Sequence, residues 1–367
     1  MSKNTKVLQL TRELIGLKTD PTNFDELRKS LELIESVLSE FTIDKFESEG
    51  YTSLLIHNRE KGNKHFHLIL NGHLDVIPSP QIEYKSRIEG NRLYGIGSMD
   101  MKSSLATMVY VFKAIAKKIN FPMALQVVTD EELGGFYGTK YQISQGVRSD
   151  FVISGESTNF NIVNKTKGII WIRIKCSGIS AHGAYPWLGD NAILKANRVI
   201  EKLFRLYPIP ESKEKNIWVS SINLSNIETN NKSFNKVPSE CTISLDVRYI
   251  PKDKDEVMTN IKDAVGDDGE IEIIVNEPFI DVSEKNEFIL TLQDSTCKIL
   301  GRSPDLYGAM GSSDARHYTL VGIPAVEFGP IGGSIGSEDE WVDIDSLQQF
   351  YDVLVEFILK LDRKYLV

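Results

Sequence analysis

Several apolar runs of strand length end on an imidazole or a carboxylate, and no other feature constrains this chain as strongly. Residues 66–70 lead through Gly72 into His73 and Asp75, and residues 93–96 open through a glycine-bearing turn into Asp100. Residues 123–128 lead into Glu131 and Glu132, and residues 151–154 into Glu156. On a strand, side chains at i and i+2 share a face, so His73 and Asp75 are expected side by side. That geometry suits a metal-bound imidazole whose other nitrogen donates to a carboxylate. The runs alternate with amphipathic helical patterns at residues 5–18, 24–40 and 101–117, which indicates an α/β domain. In open α/β sheets ligands bind beyond the carboxyl ends of strands, where all of these polar residues fall. Singly, each has an ordinary reading: Asp100 as a helix cap, Glu131 and Glu132 as a solvated turn, Glu156 as a loop carboxylate. In series, each closing an apolar run, they read as a metal centre, because divalent cations take imidazole nitrogen and carboxylate oxygen.

The bulk properties narrow the class. A chain of 367 residues suggests about two domains. The net charge is −9 and no basic stripe is interleaved with aromatics, so nucleic acid is not an expected partner. Three widely spaced cysteines, Cys176, Cys241 and Cys297, form no disulfide framework and no metal-ligand spacing, which points to a reducing compartment. The polar start has no signal-peptide core, and no apolar run approaches membrane-spanning length, so a cytoplasmic protein without membrane association is expected.

The texture changes near residue 167. Ile170, Ile172, Ile174 and Cys176 alternate with Arg173 and Lys175, which predicts a strand with one wet face. A helix is expected at about 191–206 with Asp190 as its N-cap, then strands at 217–224 and 241–250, a helix at about 254–265 and a strand at 270–275. This β-α-β-β-α-β order is the split ferredoxin-like pattern and predicts a domain inserted at 167–283. The first domain then comprises residues 1–166 and 284–367, closing on a helix at 346–361.

At the level of motifs the whole chain resembles the zinc-dependent amidohydrolases and exopeptidases that include succinyl-diaminopimelate desuccinylase, acetylornithine deacetylase, aminoacylase and the glutamate carboxypeptidases. The matching segments are Gly72-His73-Leu74-Asp75-Val76, Gly97-Ser98-Met99-Asp100-Met101-Lys102, Thr129-Asp130-Glu131-Glu132-Leu133-Gly134-Gly135, and Ser180-Ala181-His182-Gly183-Ala184-Tyr185-Pro186 with Gly189-Asp190-Asn191-Ala192. The resemblance implies a zinc-exopeptidase-like catalytic domain, with a mixed sheet and flanking helices, carrying an inserted ferredoxin-like lid that mediates homodimerisation. It implies two zinc ions, with cobalt or manganese as substitutes. His73 and Glu156 would hold one ion, Glu132 the other, and Asp100 would bridge them. Asp75 would orient His73. Glu131 would be the general base for attack by zinc-bound hydroxide, and His182 would stabilise the oxyanion. Asn235, Arg248 and Arg316 would contact the substrate, an N-acyl amino acid or a short peptide with a free carboxylate, to which a guanidinium fork is matched. Di- and tripeptides are the competing substrate class.

The resemblance breaks at one ligand. The family places a His four residues before a Glu-Trp/Tyr-Val segment; here Glu340-Trp341-Val342 puts Gly336 at that position, and no His follows His317. Three consequences are open: Glu338 or Asp339 replaces the imidazole, the enzyme works with one zinc, or the protein is impaired and serves only to bind. A milder departure is Ser103-Ser104, where the family usually has two glycines.

Overall fold

The run expected to carry the first metal ligand forms the strand Leu68–His73, all six residues of it buried. It starts and ends later than the expected 66–70, because Phe66 belongs to a short separate pair, His65–Phe66 with Arg148–Ser149. In the computed structural model, which describes residues 3–80, 84–209 and 217–366, this strand lies inside an eight-stranded mixed sheet. The order across that sheet is Thr42–Ser48, Tyr51–His57, Met123–Val128, Leu68–His73, Val152–Ser154, Ala325–Glu327, Ile162–Thr166 and Leu306–Ala309. The four central strands run parallel. The pairings of Thr42–Ser48 with Tyr51–His57, of Tyr51–His57 with Met123–Val128, and of Ile162–Thr166 with Ala325–Glu327 are antiparallel.

Parallel strands buried on both faces are near-continuously apolar, which is why Met123–Val128 could be read directly. Thr42–Ser48 was not anticipated. Its sequence, Thr-Ile-Asp-Lys-Phe-Glu-Ser, is charged because it is a half-exposed edge. The signal for it was the turn: Glu49 and Gly50 both have positive φ, as a tight two-residue hairpin requires.

The helix Lys102–Ile115 is almost wholly buried and packs on the helices Lys3–Ile15 and Ile344–Tyr365. Its Lys102 ammonium donates to the carbonyls of Leu14 and Leu17 at 2.9 and 3.2 Å, so a charged group enters the interior only by closing the end of the first helix.

The chain divides into two compact units: Met1–Asn164 with Asp281–Tyr307 and Ser313–Val367, and Lys165–Ile280 with Gly308–Ser312. The second unit runs Gly168–Ser177, Ala192–Leu206, Ser221–Glu228, Glu240–Tyr249, Val257–Val265 and Glu270–Glu277. Its four strands form an antiparallel sheet in which Ser221–Glu228 neighbours Glu240–Tyr249, then Gly168–Ser177, then Glu270–Glu277. This is the ferredoxin-like arrangement. Ile170, Ile172, Ile174 and Cys176 lie in the core with Val199, Leu203 and Ile261, whereas Trp171 on the opposite face is 46% exposed. The N-cap is Asn191, not Asp190: the Asn191 side chain accepts from the amides of Ile193 and Leu194, while Asp190 pairs with Lys195 at 2.6 Å.

Candidate metal centre

Because the central strands are parallel, their carboxyl ends share one edge, and the chain leaves each strand there with a polar residue. His73 ends its strand. Thr129 and Asp130 follow Val128, Glu156 follows Ser154 by two residues, and Glu327 ends its own strand. The side chains of His73, Asp100 and Glu156 converge, with one ligand atom from each within 4.8 Å of the others. His73 Nε2 lies 3.0 Å from Asp100 Oδ1.

The orientation of His73 differs from the expected carboxylate bond. Its Nδ1 lies 2.9 Å from the Asp75 carbonyl oxygen and 3.6 Å from the Asp75 carboxylate. Asp75 lies beyond the strand's end, so the i, i+2 relation no longer holds. Its carboxylate instead accepts from the Glu132 amide at 2.9 Å and anchors the turn that carries Glu131 and Glu132. That turn is the short 3-10 segment Glu131–Leu133.

The electrostatics are those of crowded acids. Burial, reinforced by Asp100, holds the Glu156 carboxyl well above the usual carboxylate range. Burial raises Glu131 likewise, against the pull of His73. Glu132 is pushed up to about 7, first by burial and then by Asp100 and Asp75. His73 is raised as well: burial opposes its charge, but the neighbouring Asp100 and Asp75 outweigh it and lift it well above 6.5. Such a set is costly as bare anions, and a divalent cation relieves that cost.

Glu132 is not among the three convergent ligands. Gly336 has φ +66, and a Cβ built there would lie 3.0 Å from Ile77 Cδ1. Neither proposed replacement turns inward among the described residues: Asp339 pairs with Arg87 at 3.0 Å and Glu338 is exposed. Glu340, 1% exposed, accepts from the amides of Met99 and Asp100 at 2.8 and 3.1 Å and so fixes the backbone of the Asp100 turn.

The expected substrate contacts fare differently. Arg316 is 5% exposed, and its Nη1 and Nη2 donate to the Ser313 and Gly134 carbonyls in this conformation. Arg248 makes a two-point pair with Asp246 at 2.8 and 3.1 Å in this conformation. In the second unit, His182 and Asn235 belong to one local structure: His182 bridges to Lys236, and the Gly183 amide donates to the Asn235 carbonyl at 2.7 Å. His182 is exposed, and its Nδ1 accepts from the Ala184 amide at 3.1 Å, so a neutral ring carries its proton on Nε2.

Sequence reasoning missed Glu327, Glu340 and Asp314, all nearly fully buried. Glu327 could have been found by the rule that found Glu156, since it closes the apolar run Ala325-Val326. Glu340 entered only as an alignment marker.

The profile of peptidase family M20/M25/M40 matches residues 69–360. A succinyl-diaminopimelate desuccinylase of Thioalkalivibrio sulfidiphilus is 27% identical over 321 residues, covering 80% of this chain and 84% of the relative. One of Buchnera aphidicola is 30% identical over 306 residues, covering 77% and 80%. In structure, an aminopeptidase PepT of Bacillus cereus superposes with a TM-score of 0.79 at 18% identity over 97% of this chain and 98% of that one. A Bacillus subtilis protein described as a dinuclear metal binding peptidase gives 0.70 at 13% identity, over 98% of each chain. Among the described residues no helix is long and apolar enough to cross a membrane. The chain belongs to peptidase family M20/M25/M40, the hydrolases of amide and peptide bonds.

Proposed function

We propose that this protein removes the acyl group from an N-acyl amino acid bearing a free carboxylate, with N-succinyl substrates foremost, using one divalent cation. The convergence of His73, Asp100 and Glu156 beside the partly buried Glu131 carries this reading. The donor set fits a cation: one imidazole and two carboxylates suit zinc, with cobalt or manganese as substitutes, and the raised acids need a positive charge among them. When bound, the cation would lower the pKa of a water and polarise the scissile carbonyl. Asp100 and Glu156 would balance its charge. Asp75, through its carbonyl oxygen, would fix the tautomer that leaves His73 Nε2 as the ligand atom.

Glu131 would take the proton from water and return it to the leaving nitrogen. Burial raises its carboxyl above the usual range against the pull of His73, which favours a group that can hold a proton between the two transfers. His182, with its proton on Nε2, would donate to the developing oxyanion, and Asn235 in the same local structure would contact the substrate. Arg248 would serve the substrate carboxylate by exchanging its partner Asp246 for it. The exposed Trp187, Leu188 and Phe234 support homodimerisation through the second unit.

The curated desuccinylase relatives favour an acyl substrate over a peptide. Gly336 supports one cation per chain, because a glycine supplies no side-chain ligand and Glu132 is not in the convergent set among the described residues.

The test is elemental analysis of zinc-loaded protein, with rates measured on N-succinyl and N-acetyl amino acids and on dipeptides. One ion per chain with fastest turnover of the N-succinyl substrate is expected. Glu131→Gln should keep its metal and lose about 10²–10⁴-fold in kcat. Undiminished turnover in that variant overturns the mechanism, and two ions per chain overturn the stoichiometry.

A further inference from the structure

The segment that begins the helix Ala315–Leu320 grips the Glu131 turn at several points. Arg316 Nη2 donates to the Gly134 carbonyl at 2.7 Å, and its Nη1 to the Ser313 carbonyl at 2.8 Å. The His317 ring, at Nε2, donates to the same Gly134 carbonyl at 2.8 Å. Burial, then the neighbouring Arg316, depresses the His317 pKa to about 3, so this ring is neutral and acts as a fixed donor. Asp314 accepts from the Thr139 hydroxyl at 2.5 Å and fills the space where Gly135 would carry a Cβ. One carbonyl oxygen therefore receives two side-chain donors three residues after Glu131. The guanidinium that supplies one of them stands 3.8 Å from Glu131 Oε1.

We propose that Arg316 is a positioning residue: it fixes the turn bearing Glu131 through the Gly134 carbonyl and aims the Glu131 carboxylate, and it does not bind the substrate carboxylate. A guanidinium already committed to two carbonyls and 5% exposed would have to abandon buried acceptors to reach a ligand. At 3.8 Å it biases where the Glu131 carboxylate points without a tight hydrogen bond that would hold the proton off it. Displacing a general base by about 1 Å costs on the order of 10²-fold in rate, so loss of the clamp should be felt in kcat.

The inference rests on Glu131 acting as the base, and its test separates the two claims. Arg316→Lys, Arg316→Met and His317→Phe are assayed on an N-acyl amino acid and on its α-carboxamide. Arg316→Met is expected to lose about 10²-fold in kcat on both substrates by the same factor, with KM changed less than about threefold. Arg316→Lys should recover part of that loss, and His317→Phe should show a smaller loss of the same form. A rise in KM confined to the carboxylate substrate would show that Arg316 touches the substrate and would overturn the proposal. Hydrogen exchange needs no substrate: peptides covering residues 129–138 should exchange faster in Arg316→Met, while Met123–Val128 is unchanged. Unaltered exchange in 129–138 would overturn the clamp, whereas a wild type that hydrolyses neither amide would overturn the reading of Glu131 and leave the exchange result to decide the clamp.

Discussion

Glu327 gives a measurable dependence of stability on pH. It is 6% exposed, accepts from the Ser313 amide at 3.1 Å, and is pushed from 4.5 up to about 7 by burial, with Asp100 adding to the shift. Between those values the folded chain holds a proton that the unfolded chain has released. Stability from this group is therefore complete below about pH 4.5 and is lost as pH rises through about 7. Above both values the cost to the folded state is on the order of 3 kcal/mol. Glu327→Gln keeps an oxygen to accept from Ser313 and removes the ionisation. Urea unfolding of both proteins in chelator should give similar stabilities near about pH 5 and place the variant ahead by about 3 kcal/mol near about pH 8. Asp130, Glu132 and Glu340, each also pushed up to about 7, slope both curves in the same direction, so the difference between the curves isolates Glu327. Parallel curves would refute the reasoning, because a carboxyl that ionises equally in both states cannot be desolvated in one of them.

Gly135→Ala places a Cβ 1.8 Å from the buried Asp314 Oδ1 at a residue with φ +66, so it should cost about 2–5 kcal/mol by chemical denaturation. Gly62→Ala, with φ +88 and nothing within 4 Å, is the control and should lose only the backbone part, about 1–2 kcal/mol. Asn191→Ala should lose about 1 kcal/mol of stability through its cap, whereas Asp190→Ala, which removes a pair with the carboxylate 43% exposed, should lose only a few tenths by the same measurement.

Sequence by itself determined the elements whose pattern is local. Met123–Val128 is an unbroken apolar run, and Gly168–Ser177 alternates cleanly, because burial on two faces or on one leaves a direct imprint on residue order. The strand ends that carry His73 and Glu156 were legible for a related reason: parallel strands end on one edge, so polar residues closing successive apolar runs gather there, whereas Asp100 follows Arg92–Tyr94 of a separate antiparallel sheet.

Tertiary structure decided what those residues touch. Whether His73 is held by the Asp75 carbonyl or by its carboxylate depends on where the strand stops, a matter of sheet pairing rather than spacing. Arg316 has the same composition signal whether it faces a substrate or is buried; only the packing of Ala315–Leu320 against the Glu131 turn commits its guanidinium to the Gly134 carbonyl. Glu340 and Asp314 lie far in sequence from the turns they brace, and long-range contacts of that kind leave no periodicity to read. A local pattern records which side of an element is buried. Which partner fills a buried donor or acceptor is fixed only when distant segments meet, because each such group must find whatever complement the folded chain places beside it.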